Sequence, residues 1–102
     1  MTLAHGLTSG ELALIRTVFL RHPEVTGVIL FGSRAKGTAK PASDIDLALE
    51  GIADQLQAEA IASELDELPL PYRFDVKALT AIQNQHLREH IDRVGVRISE
   101  IQ

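Results

Sequence analysis

Gly27-Val28-Ile29-Leu30-Phe31-Gly32-Ser33-Arg34-Ala35-Lys36-Gly37, followed shortly by Ser43-Asp44-Ile45-Asp46-Leu47-Ala48-Leu49, is the stretch on which the reading of this chain turns. An apolar run ends in a Gly-Ser pair, and a second run carries two acids in alternation with aliphatic residues. In a strand, residues two apart share a face. Asp44 and Asp46 therefore project together, with Ile45, Leu47 and Leu49 on the opposite side. Two carboxylates on one strand face repel each other unless a positive charge lies between them. A divalent cation meets that need, and an all-oxygen donor set beside a phosphate suits magnesium. Gly32 leaves room for a phosphate to approach the backbone, and Ser33 opens a short helical turn whose N–H groups favour anions.

Outward from that stretch, the pattern implies an α/β domain. Thr8-x-x-Glu11 has the form of a capping box. Leu12, Ile15, Val18 and Phe19 then recur at helical spacing through Arg21, and Pro23 ends the helix. His22 stands at its C-terminal end, where capping is a simpler role than catalysis. Val25 to Phe31 is apolar enough for a strand buried on both sides. Thr38 to Ser43, with Lys40 and Pro41, reads as loop, and Asp44 to Glu50 as a second strand closed by Gly51.

Ile52 to Leu68 predicts a second long helix with Leu56, Ala60, Ile61, Leu65 and Leu68 along its apolar side and acids along the other. A solvated surface explains those acids more simply than a docking face does. Tyr72 to Ala78 is a third alternating strand: Tyr72, Phe74 and Val76 on one face, Arg73, Asp75 and Lys77 on the other. Thr80 to Val94 suggests a third helix with a stripe of Ile82, Leu87, Ile91 and Val94, then Gly95 as C-cap and Val96-Arg97-Ile98 as a short last strand. His86 and His90 are four apart on that helix, but with no third ligand nearby a metal pair is the weaker reading. The expected fold is a small mixed sheet of three or four strands, with helices on the aliphatic face and Asp44, Asp46 and Asp75 on an open one.

Bulk properties narrow the classes. The 102 residues, 45% of them apolar, suit a single domain spanning 1–102. The absence of cysteine excludes disulfides, thiolate nucleophiles and sulfur-bound zinc. No apolar run reaches membrane-spanning length and the N-terminus lacks a signal pattern, so the expectation is a cytoplasmic protein with no membrane partner. A net charge of −4 argues against direct nucleic-acid binding. Arg34, Lys36, Lys40, Arg73 and Lys77 nevertheless fall close to the acid motif, as a local phosphate pocket would require.

A Gly-Ser pair, ten intervening residues, then Asp-hydrophobic-Asp-hydrophobic resembles the signature of the polymerase-β-like nucleotidyltransferase superfamily. The wording Gly-Ser-Arg-Ala-Lys-Gly and the short chain resemble its smallest branch, the minimal nucleotidyltransferases, commonly paired with a helical HEPN protein as toxin–antitoxin systems. Lys36 stands where the family often has Arg, which keeps the charge and weakens bidentate phosphate contact. The resemblance implies an adenylyltransferase in which Asp44, Asp46 and Asp75 are catalytic and hold Mg2+, as two ions. Gly32, Ser33, Arg34, Lys36 and Lys40 would bind the nucleotide. It implies AMP transfer from ATP to a hydroxyl, a tyrosine of a HEPN ribonuclease toxin, with hetero-oligomer formation. Two alternatives belong to other classes: an idle antitoxin that masks the toxin by binding, and nucleotidyl transfer to a small-molecule hydroxyl. The intact acid set favours the enzyme over the mask, and the lack of a substrate domain counts against the small molecule.

Overall fold

The structure, a computed structural model, describes residues 6–36 and 44–98. Lys40, Gly37 and the Thr38–Ser43 loop lie outside the described residues, as do residues 1–5 and 99–102.

Helix α1 (Ser9–Leu20) begins where the capping box places it. The Thr8 hydroxyl accepts from the Glu11 backbone N–H at 3.1 Å, and the Glu11 carboxylate accepts from the Thr8 N–H at 2.8 Å. Leu7, which the sequence reading passed over, is fully buried in the same cluster as Leu12, the arrangement of a hydrophobic staple across the helix start. His22 does not cap α1 with its side chain. Its Nε2 lies 2.6 Å from a carboxylate oxygen of Glu64, which Arg21 also reaches at 3.0 Å, so two residues beyond α1 clasp the next long helix.

Strand β1 (Gly27–Phe31) runs directly into the five-residue helix α2 (Gly32–Lys36). Strand β2 (Ile45–Glu50) returns antiparallel to it, and Gly51, at a φ of +98°, closes β2 as expected. Helix α3 (Gln55–Asp66) starts three residues later than the expected Ile52, because the Asp54 carboxylate accepts from the Gln57 N–H at 2.9 Å and fixes the cap there. Its buried side is Ala58, Ile61 and Leu65, with Ala62 and Leu68 partly covered. Leu56 and Ala60 were expected inward and face outward; Leu56 is 76% exposed. Five residues carry the helix about 140° beyond one full turn, so Leu56 and Ile61 cannot share a face.

Strand β3 (Phe74–Ala78) lies parallel to β2, and a single 3₁₀ turn (Leu79–Ala81) follows. The long helix expected from Thr80 is split, because Asn84 accepts from the Leu87 N–H at 3.1 Å and starts helix α4 (Gln85–Val94) afresh. Gly95 ends α4 with an ordinary φ of −63°; its value is space, since a Cβ there would meet the Ile91 carbonyl and the Ile29 side chain. Strand β4 (Val96–Arg97) completes a 4-stranded sheet in the order β3-β2-β1-β4.

The main core lies between α1, α3 and one sheet face: Leu12, Ile15 and Val18 against Leu30, Leu47, Leu49, Val76 and Ile61. The acid-bearing face is only partly open. Ile29, Phe31 and Ala48 on that side form a second cluster with Ile91 of α4, flanked by Leu79, Ile82 and Leu87. This gives β1 cover on both sides and buries Ala48 of β2, while Asp46, Asp75 and Lys77 on the same face keep some exposure. Among the described residues, no helix is long and apolar enough to cross a membrane.

Candidate active site

The site is built where β1 stops and α2 begins. Gly32 has a φ of +74°, a backbone state that favours glycine. It also has no room for a side chain, since a Cβ would strike the Asp46 carboxylate. That acid is therefore lodged against the Gly-Ser turn. The sheet register sets Asp46 opposite Phe31 on β1 and Asp75 on β3. Asp44 lies exposed one residue before β2 begins.

Electrostatics follow from this crowding. Burial of Asp46, reinforced by the charges of Asp75 and Asp44, pushes its carboxyl up to about 6, against the opposing pull of Lys77 and Arg34. Asp75 keeps its side chain 51% exposed, with the Lys77 ammonium 3.5 Å away. Among the described residues, no group of three or more acids and histidines closes into a ready-made metal cage. What exists is a pair of register neighbours with a third acid at the strand's start, every donor a carboxylate oxygen. That donor set and its self-repulsion fit a hard divalent cation with open coordination positions.

The basic residues do not all line this face. Lys36 is exposed at the end of α2 and Arg73 is exposed just ahead of β3. Arg34 is 2% exposed, with its guanidinium 4.6 Å from the centre of the Tyr72 ring. Tyr72 packs against the main core, on the sheet side away from Asp46 and Asp75. Its hydroxyl donates to Glu11 at 2.8 Å. Burial and that bond raise the Tyr72 hydroxyl above its ordinary range. Burial also pushes the Glu11 carboxyl up, but the Thr8 N–H, the Tyr72 and Thr8 hydroxyls and the Arg34 charge outweigh it and leave it lowered. Sequence reasoning missed this link from Arg34 through Tyr72 to Glu11, because its members are far apart in the chain and Glu11 already had a role as a cap. His90 presents its ring edge-on to Phe31, centroids 6.4 Å apart, while His86 is exposed.

Comparison with known proteins gives the family of the chain. The family described as "Polymerase beta, Nucleotidyltransferase" matches residues 14–102. A protein of Haemophilus influenzae named probable protein adenylyltransferase MntA is 36% identical over 96 residues, 92% of this chain and 83% of that protein. A toxin–antitoxin crystal structure with AMP-PNP superposes with a TM-score of 0.71 at 23% identity, over 85% of this chain and 71% of that one. A tri-AMPylated Shewanella oneidensis HEPN toxin in complex with an MNT antitoxin gives a TM-score of 0.68 at 19% identity, over 90% and 71%. These two likenesses establish the shared fold. With the family match running from within α1 through the Gly-Ser turn and the paired acids to the last residue, this chain belongs to the polymerase-β-type nucleotidyltransferase family.

Proposed function

We propose that this chain is a metal-dependent adenylyltransferase that moves AMP from ATP to a tyrosine hydroxyl of a cognate HEPN ribonuclease toxin, and so acts as its antitoxin. The observation that carries the reading is the lodging of the Asp46 carboxylate against the Gly32 turn, in register with Asp75. The name of the Haemophilus relative and the tri-AMPylated toxin bound to an MNT antitoxin support a protein acceptor and a HEPN partner.

Asp44, Asp46 and Asp75 would hold Mg2+, as two ions. When bound, the metal neutralises the triphosphate and lowers the barrier to losing the acceptor's proton. The Gly32-Ser33 turn receives the triphosphate, with Lys36 and Lys40 as its basic rim. The acceptor oxygen attacks the α-phosphorus, the bond from that phosphorus to the α–β bridging oxygen breaks, and pyrophosphate leaves. Asp75, the more exposed of the register pair, takes the hydroxyl proton. Most of the acceleration comes from positioning and from charge fixed in place before reaction.

The test is intact-mass spectrometry of the HEPN partner incubated with substoichiometric protein and Mg-ATP. The partner is expected to gain mass in steps of one AMP, and the gain is expected to vanish in Asp44→Asn and Asp46→Asn variants that still fold. Full inhibition of the partner at equimolar protein, with no mass change, would assign the chain to masking instead.

A further inference from the structure

Arg34 sits inside the motif that should meet phosphate, yet it is buried, with its guanidinium against the Tyr72 ring. Its charge is matched by the face of the Tyr72 ring at 4.6 Å, within cation–π range, and Glu11 lies behind that ring on the Tyr72 hydroxyl. The same Glu11 closes the capping box of α1. One chain of contacts therefore runs from the start of α1, through Tyr72 just ahead of β3, to the middle of α2. Its last two members flank the parts of the site that must be held in register: Arg34 is two residues or fewer from the Gly32-Ser33 turn, and Tyr72 is three residues before Asp75. A five-residue helix has little stability of its own, so its orientation must come from contacts of this kind. A buried guanidinium is also expensive to strand without partners, which gives the contact a single preferred geometry.

We infer that Arg34 is a positioning residue, clamped by Tyr72 and Glu11, that aims the Gly-Ser turn at the acids of β2 and β3 and does not touch the nucleotide. The inference rests on the nucleotidyl-transfer reading for its kinetic consequence and on the contacts above for its structural one. Tyr72, packed against the main core, then matters to the reaction as much as Arg34 does.

The experiment is a double-mutant cycle on the full chain, measuring transfer from ATP to the HEPN partner. Arg34→Met and Tyr72→Leu are each expected to lower kcat by about tenfold to a hundredfold, as misplacement does, with KM for ATP nearly unchanged. The double variant is expected to be no worse than either single one. Tyr72→Phe, which keeps the ring and loses only the hydroxyl, is expected to restore most of the rate. A second readout needs no activity: amide NMR shifts of Gly32 and Ser33 are expected to move in Tyr72→Leu and hold in Tyr72→Phe. A large rise in KM confined to Arg34→Met, multiplicative losses in the double variant, or unmoved amides in Tyr72→Leu would overturn the inference. If Arg34→Met fails to fold, the two Tyr72 variants decide alone. If the parent protein transfers nothing, the transfer reading fails and the amide shifts still decide this one.

Discussion

Gly32 and Asp46 show how tightly single residues constrain one another at the site. Any side chain at Gly32 meets both a φ of +74° and the Asp46 carboxylate. The backbone state alone costs a non-glycine residue about 1–2 kcal/mol. Gly32→Ala is expected to lose at least that much in denaturant unfolding and to lose transfer as well, because Asp46 must move. Asp46 makes the opposite prediction. The folded state keeps its proton up to about pH 6, whereas the unfolded chain releases it near 3.8. Between those values the folded state binds more protons, so stability falls as pH rises, and above about 6 the cost of the ionised acid is fully in place. Asp46→Asn is expected to be more stable than the parent at about pH 7.5 by on the order of 1 kcal/mol, allowing for solvent screening of a half-exposed group. The gain is expected to disappear by about pH 4 in metal-free thermal melts, while transfer is lost at every pH. Equal melting temperatures at neutral pH would contradict the strained placement of this acid.

At the scale of elements, caps and packing govern different boundaries. The Thr8 box and the Pro23 stop were visible because both act within a few residues along the chain. Asp54 and Asn84 cap by the same chemistry, yet the apolar pattern around them ran on and hid them. Asp54 is exposed and far from the acid face, so its cap can be tested cleanly. Asp54→Ala is expected to cost about 1 kcal/mol in denaturant unfolding and to leave transfer unchanged. A loss of transfer at equal occupancy of the folded state would mean that α3 contributes to the reaction directly.

The whole molecule stands on two apolar clusters, the larger of them holding α1 and α3 against the sheet. Leu47 is fully buried at the centre of β2, its neighbours in register being Leu30 and Val76. Leu47→Ala is expected to cost about 2–5 kcal/mol, a large part of the roughly 5–15 kcal/mol available to a domain of this size. Because Asp46 and Ala48 flank it on the other face, the same change is expected to loosen the site before it unfolds the chain. Titration with denaturant, read by circular dichroism and by transfer in parallel, checks both halves; coincident loss of signal would show that site and core fail together. The second cluster, with Ile91, Ile29, Phe31 and Ala48, covers part of the acid face, while Asp46 and Asp75 keep some exposure.

The sequence by itself determined what depends on neighbours along the chain: the alternation that sends Asp46 one way and Ile45 and Leu47 the other, the glycine that permits the turn, and the capping box at Thr8. Each is a matter of period or of one local hydrogen bond, and both can be counted in the letters. Tertiary structure decided the rest. Which residue of β3 faces Asp46 is set by strand register, and register is a property of two segments some thirty residues apart. Which side of α3 is buried depended on the surface it met, and Leu56 was left outside. Arg34 reads in the sequence as a phosphate ligand, and only the fold brought the ring of Tyr72 against its buried guanidinium. Burial of a charge is settled by long-range partners, and no local pattern in a sequence encodes them.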